Sequence, residues 1–477
     1  MSDKIQKVAV LGAGVMGAQL SGHLANAGIP SFLFDISQDL SEQGKANLTS
    51  LKPAPLYKPK NIELITPCSY DDHIDKISEV DWVLEAVAEK LEIKHIVYKN
   101  LLPHLKDSAI ITSNTSGIPL EELISVLPEE VQSRFMITHF FNPPRYMRLL
   151  ELVRGTNTSD EVYNFMAEFG ETTLGKGIVH AKDTPNFIAN RIGIYGMMLT
   201  MKLAQEMGLT VEEVDKITGT IVGRPKSATF RTADVVGLDT MAHVAQTCYD
   251  LCEQDEERDI FQSPEILNKL IEEGRLGAKT KAGFYKKTEK KEILSLDLQT
   301  GEYNPQKKVR FDGFRLAKDH QDTGEKISAM AYSNDKAGKF FWEILSQSLI
   351  YSANRIPEIC DGIINVDNAM KWGFGWELGP FEVWDAIGLE RSVTKMKSEE
   401  KNVPEWIQNM ISEGKTHFYE ISDNSRKFYD IPSKNHQPVS SDEKSFDFQV
   451  LKSSGNLIKK HWSASLIDIG DGVINAE

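Results

Sequence analysis

Cysteine is scarce in this chain: only four of its 477 residues are cysteine. Two of them, Cys248 and Cys252, are one helical turn apart, but no C-x-x-C pair and no flanking histidine pattern accompanies them. This spacing is typical of buried free thiols rather than of a disulfide framework or a zinc site. We therefore predict a reducing compartment and no metal site.

Long apolar runs and an excess of positive charge are also absent. No segment approaches the roughly 18 consecutive apolar residues that a membrane-spanning helix requires, and the opening MSDKIQKVAVLG lacks the pattern of a signal peptide. Lysine and arginine number 54 against 69 aspartate and glutamate residues, which gives a net charge of −15. This balance argues against nucleic acid or an anionic membrane as the main partner. The sequence predicts a cytoplasmic protein of two to four domains without a membrane span.

The first third of the chain carries a dinucleotide-binding pattern. In KVAVLGAGVMGAQLSGHLANAG, the apolar run 8–11 leads through Gly12, Gly14 and Gly17 into a helical pattern, and a second strand, SFLFD, ends at Asp35. Gly12 allows a tight turn, Gly14 lets a pyrophosphate approach the backbone, and Gly17 lets helix and strand pack closely. This context makes the glycine motif a specific signal for a bound dinucleotide.

The predicted cofactor is NAD. Asp35 would accept hydrogen bonds from the ribose hydroxyl groups and repel a 2′-phosphate, which favours NAD over NADP. The start of the following helix, at Val15 and Met16, would face the phosphates with free amide groups and a partial positive charge.

Further strand patterns alternate with helical segments. They predict an α/β fold with a Rossmann-type doubly wound sheet, whose ligands bind at the carboxyl ends of the strands. Polar residues gather at these ends: Glu85 and Glu89, the stretch 113–116, and His139. The additional strands are expected at 62–66, 81–87, 108–114 and 134–140.

Two titratable residues lie inside apolar strand patterns in FMITHFFNPPRYMRLLELV. His139 and Glu151 are either polar core residues that found partners or members of a cleft that performs chemistry. A histidine needs only mild tuning to act as a base near neutral pH, and a carboxylate can fix its tautomer. Their position beside a dinucleotide fold, with a Ser/Thr/Asn cluster at the preceding strand end, favours catalysis.

Several stretches resemble the L-3-hydroxyacyl-CoA dehydrogenase family of fatty-acid β-oxidation. They are VAVLGAGVMGAQLSGHLANAG, EAVAEKLEIK, SNTSGIPL, THFFNPPRYMRLLELV and KDTPNFIANRI, and the likeness runs from about residue 5 to residue 395. The resemblance implies NAD-dependent oxidation of an (S)-3-hydroxyacyl-CoA thioester. The residues it implies for catalysis are His139 as base, Glu151 as its partner, Ser116 and Asn190. Those it implies for the cofactor site, besides the glycine turn, are Glu89, Lys94, Asn142 and Lys279.

The residues themselves support these implied roles unevenly. Ser116 lies in a strand-to-helix loop, where it could instead be the N-cap of the following helix. Lys94 lies on an otherwise charged helix face, and its spacing alone favours a solvated lysine. Asn190 follows Pro185, which can start a helix. In the stretch 50–61, prolines interrupt the helical arm that the family uses to meet CoA, so no CoA contacts are assigned.

The second half contains an internal duplication. The stretch 210–239 resembles 362–390, and NRIG at Asn190 recurs as NRIP at Asn354. This pattern, like that of large bacterial β-oxidation proteins, predicts a duplicated all-α C-terminal region, with the second copy structural. The expected domains are 1–184 (NAD-binding), 185–287 (copy 1), 288–311 (a linker hairpin with its turn at QTGE), 312–395 (copy 2), 396–444 (polar linker) and 445–477 (start of a crotonase-like domain).

Three functions remain open from the sequence. The first is the NAD-dependent 3-hydroxyacyl-CoA dehydrogenase, alongside a covalent or separate enoyl-CoA hydratase partner. The second is a dehydrogenase of a free β-hydroxy acid, and the third is a non-catalytic NAD-binding scaffold. The chain-length preference is not predicted. The oligomeric state is monomer or homodimer, and a second copy that replaces the dimer partner would leave a monomer.

Overall fold

The strand patterns of the first third form one eight-stranded sheet. This computed structural model describes residues 5–422, 425–439, 446, 448–461 and 464–476. The strand order is β3-β2-β1-β4-β5-β6-β7-β8, and all neighbours are parallel except the antiparallel pair β6 and β7. The strands are β1 (Val8–Leu11), β2 (Ser31–Asp35), β3 (Ile65–Ser69), β4 (Trp82–Glu85), β5 (Ile110–Ser113), β6 (Phe135–Phe140), β7 (Leu149–Arg154) and β8 (Gly177–Ala181).

Helices cover this sheet and complete the predicted Rossmann-type fold. Strands β1, β4 and β5 are buried along their whole length, as expected for parallel strands with both faces covered. The helices are α1 (Val15–Asn26), α2 (Gln38–Asn47), α3 (Tyr70–His73), α4 (Leu91–Leu101), α5 (Leu120–Ile124), α6 (Glu129–Gln132) and α7 (Asp160–Thr172).

The strand predicted at 62–66 is wrong. Residues Pro59–Leu64 form a 3-10 helix, and β3 begins only at Ile65. Pro59 lacks the N–H that a ladder requires but has the φ that suits the first turn of a helix. No helix forms between Asn47 and Pro59, as the prolines of this stretch predict.

The first copy of the helical region follows the sheet. Its helices are α8 (Ala189–Glu206), α9 (Val211–Ile217), α10 (Phe230–Val236), α11 (Leu238–Leu251) and α12 (Glu265–Glu272). A three-stranded sheet closes it, with β9 (Tyr285–Lys287), β10 (Ile293–Leu296) and β11 (Tyr303–Pro305). Strands β10 and β11 are the predicted hairpin, with QTGE between them.

A second compact unit contains most of the remaining chain. The first unit runs to Val309 and includes Pro357–Asp361 and Asn368–Glu377, and the other residues belong to the second. The helices from here on are α13 (Asp312–Lys318), α14 (Thr323–Ala331), α15 (Lys336–Asn354), α16 (Ile363–Phe374), α17 (Pro380–Ile387), α18 (Leu389–Ser398), α19 (Glu405–Ser412) and α20 (Phe448–Ser453). The strands are β12 (Tyr419–Ser422), β13 (Ser425–Asp430), β14 (Asn435–Pro438), β15 (Leu457–Lys460), β16 (Ser465–Gly470) and β17 (Val473–Ala476).

The polar linker predicted at 396–444 is not a linker in its described part. It contains helix α19 and the antiparallel sheet β12-β13-β14. The prediction failed because the stretch is polar in composition, while its few apolar residues, such as Ile407, Met410 and Phe418, are fully buried. The stretch 445–477, predicted to start a crotonase-like domain, contains α20 and the sheet β15-β16-β17. Residues 440–445, 447, 462–463 and 477 lie outside the described part.

Matching hydrogen bonds reveal the internal duplication in the structure. In copy 1, Asp215 accepts from the Tyr285 hydroxyl at 2.7 Å, and Asp234 accepts from the Tyr285 amide at 2.9 Å. In copy 2, Asp367 accepts from the Tyr419 hydroxyl at 2.7 Å and Asp385 from the Tyr419 amide at 2.9 Å. Copy 2 therefore extends past the predicted boundary at 395, since its tyrosine is at 419.

The repeated NRI tripeptide does not mark equivalent positions. Asn190 lies in the first turn of α8, whereas Asn354 is the last residue of α15. The aspartates, which accept hydrogen bonds from the hydroxyl and the backbone amide of a tyrosine in each copy, define the repeat instead.

Candidate active site

The two titratable residues of the apolar strands form a buried pair. His139 on β6 and Glu151 on β7 are 3% and 0% exposed. The Nδ1 atom of His139 lies 2.7 Å from Oε2 of Glu151. The other carboxylate oxygen, Oε1, accepts hydrogen bonds from the amides of Ile188 and Ala189 at 3.1 and 2.8 Å. These amides lie at the start of helix α8, so the positive end of the helix faces the carboxylate.

Ser116 completes a chain of three side chains. Its Oγ lies 3.1 Å from Nε2 of His139, on the side of the ring opposite Glu151. The alternative of an N-cap is wrong, since α5 begins at Leu120 after Pro119 with no side-chain cap, and the Leu120 amide donates to Asp183. Because Glu151 accepts from Nδ1–H, the lone pair on Nε2 faces the hydroxyl.

Two aromatic rings hold the imidazole from the sides. The centroids of Phe141 and Phe187 lie 4.7 and 5.4 Å from that of His139, both edge-on. Phe187 and the preceding Asn186 have φ values of 49° and 63°, a conformation that is rare for residues other than glycine. Such strain concentrates at functional sites, where the surroundings enforce it. Nothing in the sequence pattern indicated these two residues beyond their place in TPNF.

Asn190 lies at the same end of α8. It is half-buried and follows Ala189, whose amide contacts Glu151. The helix begins at Ala189 rather than at Pro185, so the prediction that Pro185 starts it is wrong. The first turn of α8 therefore places Asn190 next to the His139–Glu151 pair.

The glycine turn has the geometry that a dinucleotide requires. Gly12 has φ +97°, and a Cβ on Gly17 would lie 1.8 Å from the carbonyl oxygen of Gly12, so both positions need glycine. A Cβ on Gly14 would meet nothing within 4 Å, which leaves the backbone open to a ligand. No side chain among the described residues caps α1, so its first amides are available to phosphate. The turn thus fits NAD.

Asp35 and two exposed apolar residues flank this turn. Oδ2 of Asp35 accepts from the Ala13 amide at 2.7 Å, which ties the end of β2 to the turn. Val15 and Ile36 are 66% and 73% exposed, unusual for large apolar side chains beside a polar edge. Met16 is half-buried under the same helix start. Ile36 was missed in the sequence, where it follows Asp35 as an ordinary loop residue.

A buried ion-pair cluster supports the loop that carries Ser116. Glu85 is fully buried and accepts from the Lys94 ammonium at 2.8 Å and from the Ser113 hydroxyl at 2.6 Å. The ammonium also lies 3.1 Å from Glu89. Oε1 of Glu89 accepts from the Thr115 hydroxyl and from the Ser116 amide, the latter at 2.9 Å. Glu85 is therefore a supporting residue that the sequence placed at a strand end without a role.

Lys94 is not the solvated lysine that its helix spacing favours, since it is 1% exposed. Burial opposes its charged form, but the attraction of Glu85 and Glu89 is greater and holds the pKa of Lys94 above its usual value. Burial likewise opposes the charged form of Glu89, and Lys94 together with the Thr115 and Ser116 donors holds the pKa of Glu89 below its usual value. Lys94 and Glu89 are therefore charged at neutral pH.

The other two implied cofactor residues lie apart from this cluster. Asn142, just beyond β6, is exposed, and its Oδ1 accepts from the Gln19 amide of α1 at 2.8 Å, which places it beside the glycine turn. Lys279 instead forms an ion pair with Asp239 at 2.6 Å on the first copy of the helical region. No contact among the described residues brings Lys279 to the turn or to His139.

Within the described ranges, no group of three or more histidine, cysteine or acidic residues has a geometry that could hold a metal ion. In that same part of the chain, no helix combines the length and the apolar character needed to cross a bilayer. All four cysteines are buried free thiols, as predicted.

Comparison with known proteins gives two matching family models. The NAD binding domain of 3-hydroxyacyl-CoA dehydrogenase matches residues 7–184, and the C-terminal domain of the same family matches residues 187–287.

Individual relatives support the same family as the two models. A probable 3-hydroxyacyl-CoA dehydrogenase of Bacillus subtilis is 44% identical over 99% of this chain and 62% of its own length. One from Deinococcus radiodurans is 44% identical over 60% of this chain and 84% of its own length. The fold of Escherichia coli 3-hydroxybutyryl-CoA dehydrogenase is similar, with a TM-score of 0.67 at 20% identity over 86% of this chain and 99% of that one. The chain thus spans less than two thirds of the Bacillus relative. It belongs to the 3-hydroxyacyl-CoA dehydrogenase family, and its first domain is an NAD-binding domain.

Proposed function

We propose that the chain catalyses NAD-dependent oxidation of an (S)-3-hydroxyacyl-CoA thioester to the 3-oxoacyl-CoA, with His139 as general base. The observation that carries the proposal is the chain of contacts from Ser116 through His139 to Glu151, with distances of 3.1 and 2.7 Å. Family membership supports the thioester as substrate.

The proton path follows from this chain of contacts. Nε2 of His139 takes the proton of the substrate hydroxyl, and Ser116 beside it donates a hydrogen bond to the same oxygen. Glu151 accepts from Nδ1–H, fixes the tautomer and stabilises the imidazolium that forms. Asn190, at the start of α8, is placed to hold the substrate oxygens. Phe141 and Phe187 exclude water from the ring.

The cofactor is NAD, which accepts the hydride from the substrate carbon when bound. Gly12, Gly14 and Gly17 with the first amides of α1 would hold its pyrophosphate, and Asp35 its ribose. Glu89 and Lys94 fix the Ser116 loop between the two sites.

The direct test is NADH turnover with acetoacetyl-CoA and with a long-chain 3-ketoacyl-CoA. We expect turnover by the wild type and a roughly 10²- to 10⁴-fold loss in His139→Ala, the usual contribution of a general base. The matched control is His243→Ala, an exposed histidine. Tight NADH binding without turnover of either thioester would support the alternative of a non-catalytic NAD-binding scaffold. Turnover of a free β-hydroxy acid, but of neither thioester, would support the alternative of a free-acid dehydrogenase.

Finer assignments rest on this proposal. If the substrate is the 3-hydroxyacyl-CoA of β-oxidation, an enoyl-CoA hydratase, covalent or separate, is the partner that would supply it. Coupled turnover of an enoyl-CoA after addition of a hydratase tests that link. The cytoplasmic location stays a prediction from the sequence.

A further inference from the structure

The end of helix α16 lies against the strands that carry the catalytic pair. This segment, Asn368–Glu377, follows Asp367 of the second copy but belongs to the first compact unit. Trp372 fills the space above Gly177 on β8, where a Cβ would lie 2.3 Å from the indole ring. The Arg148 guanidinium lies 4.5 Å from the centroid of the same ring. A part of the second copy therefore packs on the edge of the catalytic sheet.

Gly373 makes the closest approach in this segment. A Cβ there would lie 2.6 Å from Cδ2 of Leu149, 3.4 Å from Cβ of Ala189 and 3.5 Å from Cε1 of Phe141. Gly373 is not among the residues with positive φ, so any residue could adopt its backbone conformation. A side chain here would therefore have to displace the end of the Leu149 side chain, and any strain would come from lack of space rather than from backbone conformation.

Each neighbour of Gly373 is tied to the catalytic pair. The ring of Phe141 packs edge-on against His139 at 4.7 Å. The amide of Ala189 donates to Glu151 at 2.8 Å. Leu149 precedes Glu151 by two residues on β7 and points to the same face of the strand. A displacement of the chain at Gly373 would therefore be transmitted to His139 and Glu151 through all three of these neighbours.

We propose that Gly373 is a positioning residue of the active site. Its lack of a side chain lets the segment from the second copy close on Phe141, Leu149 and Ala189, and this contact keeps His139 and Glu151 at hydrogen-bonding distance. The inference rests on the proposed function. It gives the second copy, which has no base of its own, a part in catalysis.

The test is Gly373→Ala, assayed for turnover, NADH affinity and pH dependence. We expect a loss of roughly 10- to 100-fold in kcat, as for misplacement of reacting groups by less than 1 Å. The NADH dissociation constant should stay at the wild-type value, because the glycine turn is untouched. The pH profile of kcat/KM should shift, because a loosened Glu151 contact alters the titration of His139. The control is Gly362→Ala, just before α16, where a Cβ meets nothing within 4 Å.

Rescue separates positioning from general destabilisation. Leu149→Val removes part of the side chain that the new methyl group would strike, so the double variant should regain most of the lost kcat. Unchanged kcat and pH profile in Gly373→Ala would overturn the proposal, as would an equal loss in Gly362→Ala. If Gly373→Ala does not fold, Trp372→Leu is the second variant, because it loosens the contact of the same segment with the sheet. We expect a lower kcat and an unchanged NADH affinity in Trp372→Leu. A wild-type kcat in Trp372→Leu would also overturn the proposal.

The proposed function can fail separately. Absence of turnover in the wild type would refute the dehydrogenase assignment, but it would not refute the role of Gly373 in positioning His139 and Glu151. An NMR titration of the His139 imidazole, assigned with His139→Gln, would then compare wild type with Gly373→Ala. A changed titration supports the positioning role, and identical titrations refute it.

Discussion

His139 and Glu151 are directly opposed residues of the antiparallel strands β6 and β7, and their side chains meet at 2.7 Å. Directly opposed side chains on one face of an antiparallel pair have Cβ atoms about 5 Å apart, within reach of such a contact. A slip of one residue would send the two groups to opposite faces of the sheet. The register of the two strands therefore builds the catalytic pair.

Replacement of Glu151 by glutamine should slow turnover with little change in structure. The amide keeps the size of the side chain but loses the charge that stabilises the imidazolium and the acceptor that fixes Nδ1–H. We expect kcat to fall roughly 10²- to 10⁴-fold while NADH affinity is retained. Steady-state kinetics of Glu151→Gln are compared with those of the control Glu171→Gln, which changes an exposed glutamate of α7. Wild-type kcat in Glu151→Gln would contradict the assigned role.

Lys94→Met should destabilise the protein strongly. It leaves Glu85, which is fully buried, without its ammonium partner and brings two uncompensated carboxylates together. Breaking a buried ion pair from one side costs about 3–5 kcal/mol in the free energy of unfolding. Urea denaturation of Lys94→Met and of Lys99→Met, an exposed lysine of the same helix, measures the difference. Equal decreases in the free energy of unfolding of the two variants would contradict a stabilising role of the ion-pair cluster.

Alanine substitutions of Gly14 and Gly17 should have different effects on stability and on NADH affinity. A Cβ on Gly14 enters open space, so Gly14→Ala should keep its melting temperature but bind NADH more weakly, because the methyl group occupies the place of the pyrophosphate. A Cβ on Gly17 would strike the Gly12 carbonyl, so Gly17→Ala should lose both stability and affinity. Calorimetry and NADH fluorescence titration distinguish the two. Unchanged affinity in Gly14→Ala would argue against this cofactor placement.

His23 should make stability depend on pH in the acid range. Burial, with Lys176 nearby, lowers the pKa of His23 to about 3, while its Nε2 faces the Leu174 carbonyl at 3.1 Å. Between pH 6.5 and about 3 the unfolded chain binds a proton that the folded chain does not, so stability falls as the pH falls through this window.

The expected change is about 1.4 kcal/mol per pH unit below 6.5 for this one group. Unfolding free energies at pH 7 and pH 5 measure it in wild type and in His23→Gln, which lacks the titrating group and should show a flatter dependence. His243→Gln, at an exposed site, should match the wild type. A pH dependence in the wild type equal to that of His23→Gln would refute the assignment.

The chain should sediment as a monomer of 53.5 kDa. Gly223 and Gly375 each lie eight residues after the corresponding aspartates, Asp215 and Asp367. The stretches that follow contact each other: the Glu377 amide donates to the Gly223 carbonyl at 2.8 Å, and Arg224 lies 4.1 Å from the Trp376 ring centroid. Because equivalent segments already contact each other within one chain, we expect that a second chain is not needed to cover them. A mass near twice 53.5 kDa would contradict this.

Local pattern predicted much of the site. Gly12, Gly14 and Gly17 lie at the junction of β1 and α1, and Asp35 ends β2. This spacing is specific to dinucleotide-binding turns. Spacing misjudged Lys94, because a helix face with charged neighbours reads as solvated. Only the tertiary structure shows that Glu85, at the end of β4, and Glu89 pair with its ammonium.

The sequence by itself determined the cofactor turn, the order of the elements in the first domain, the catalytic candidates and the existence of a repeat, since each is written in residues close together along the chain. Tertiary structure alone decided the approach of Gly373 to Phe141 and Ala189, the strained backbone at Asn186 and Phe187, and the ion-pair cluster beneath Ser116. These depend on contacts between residues far apart in the chain, where close packing rather than local preference selects the neighbour.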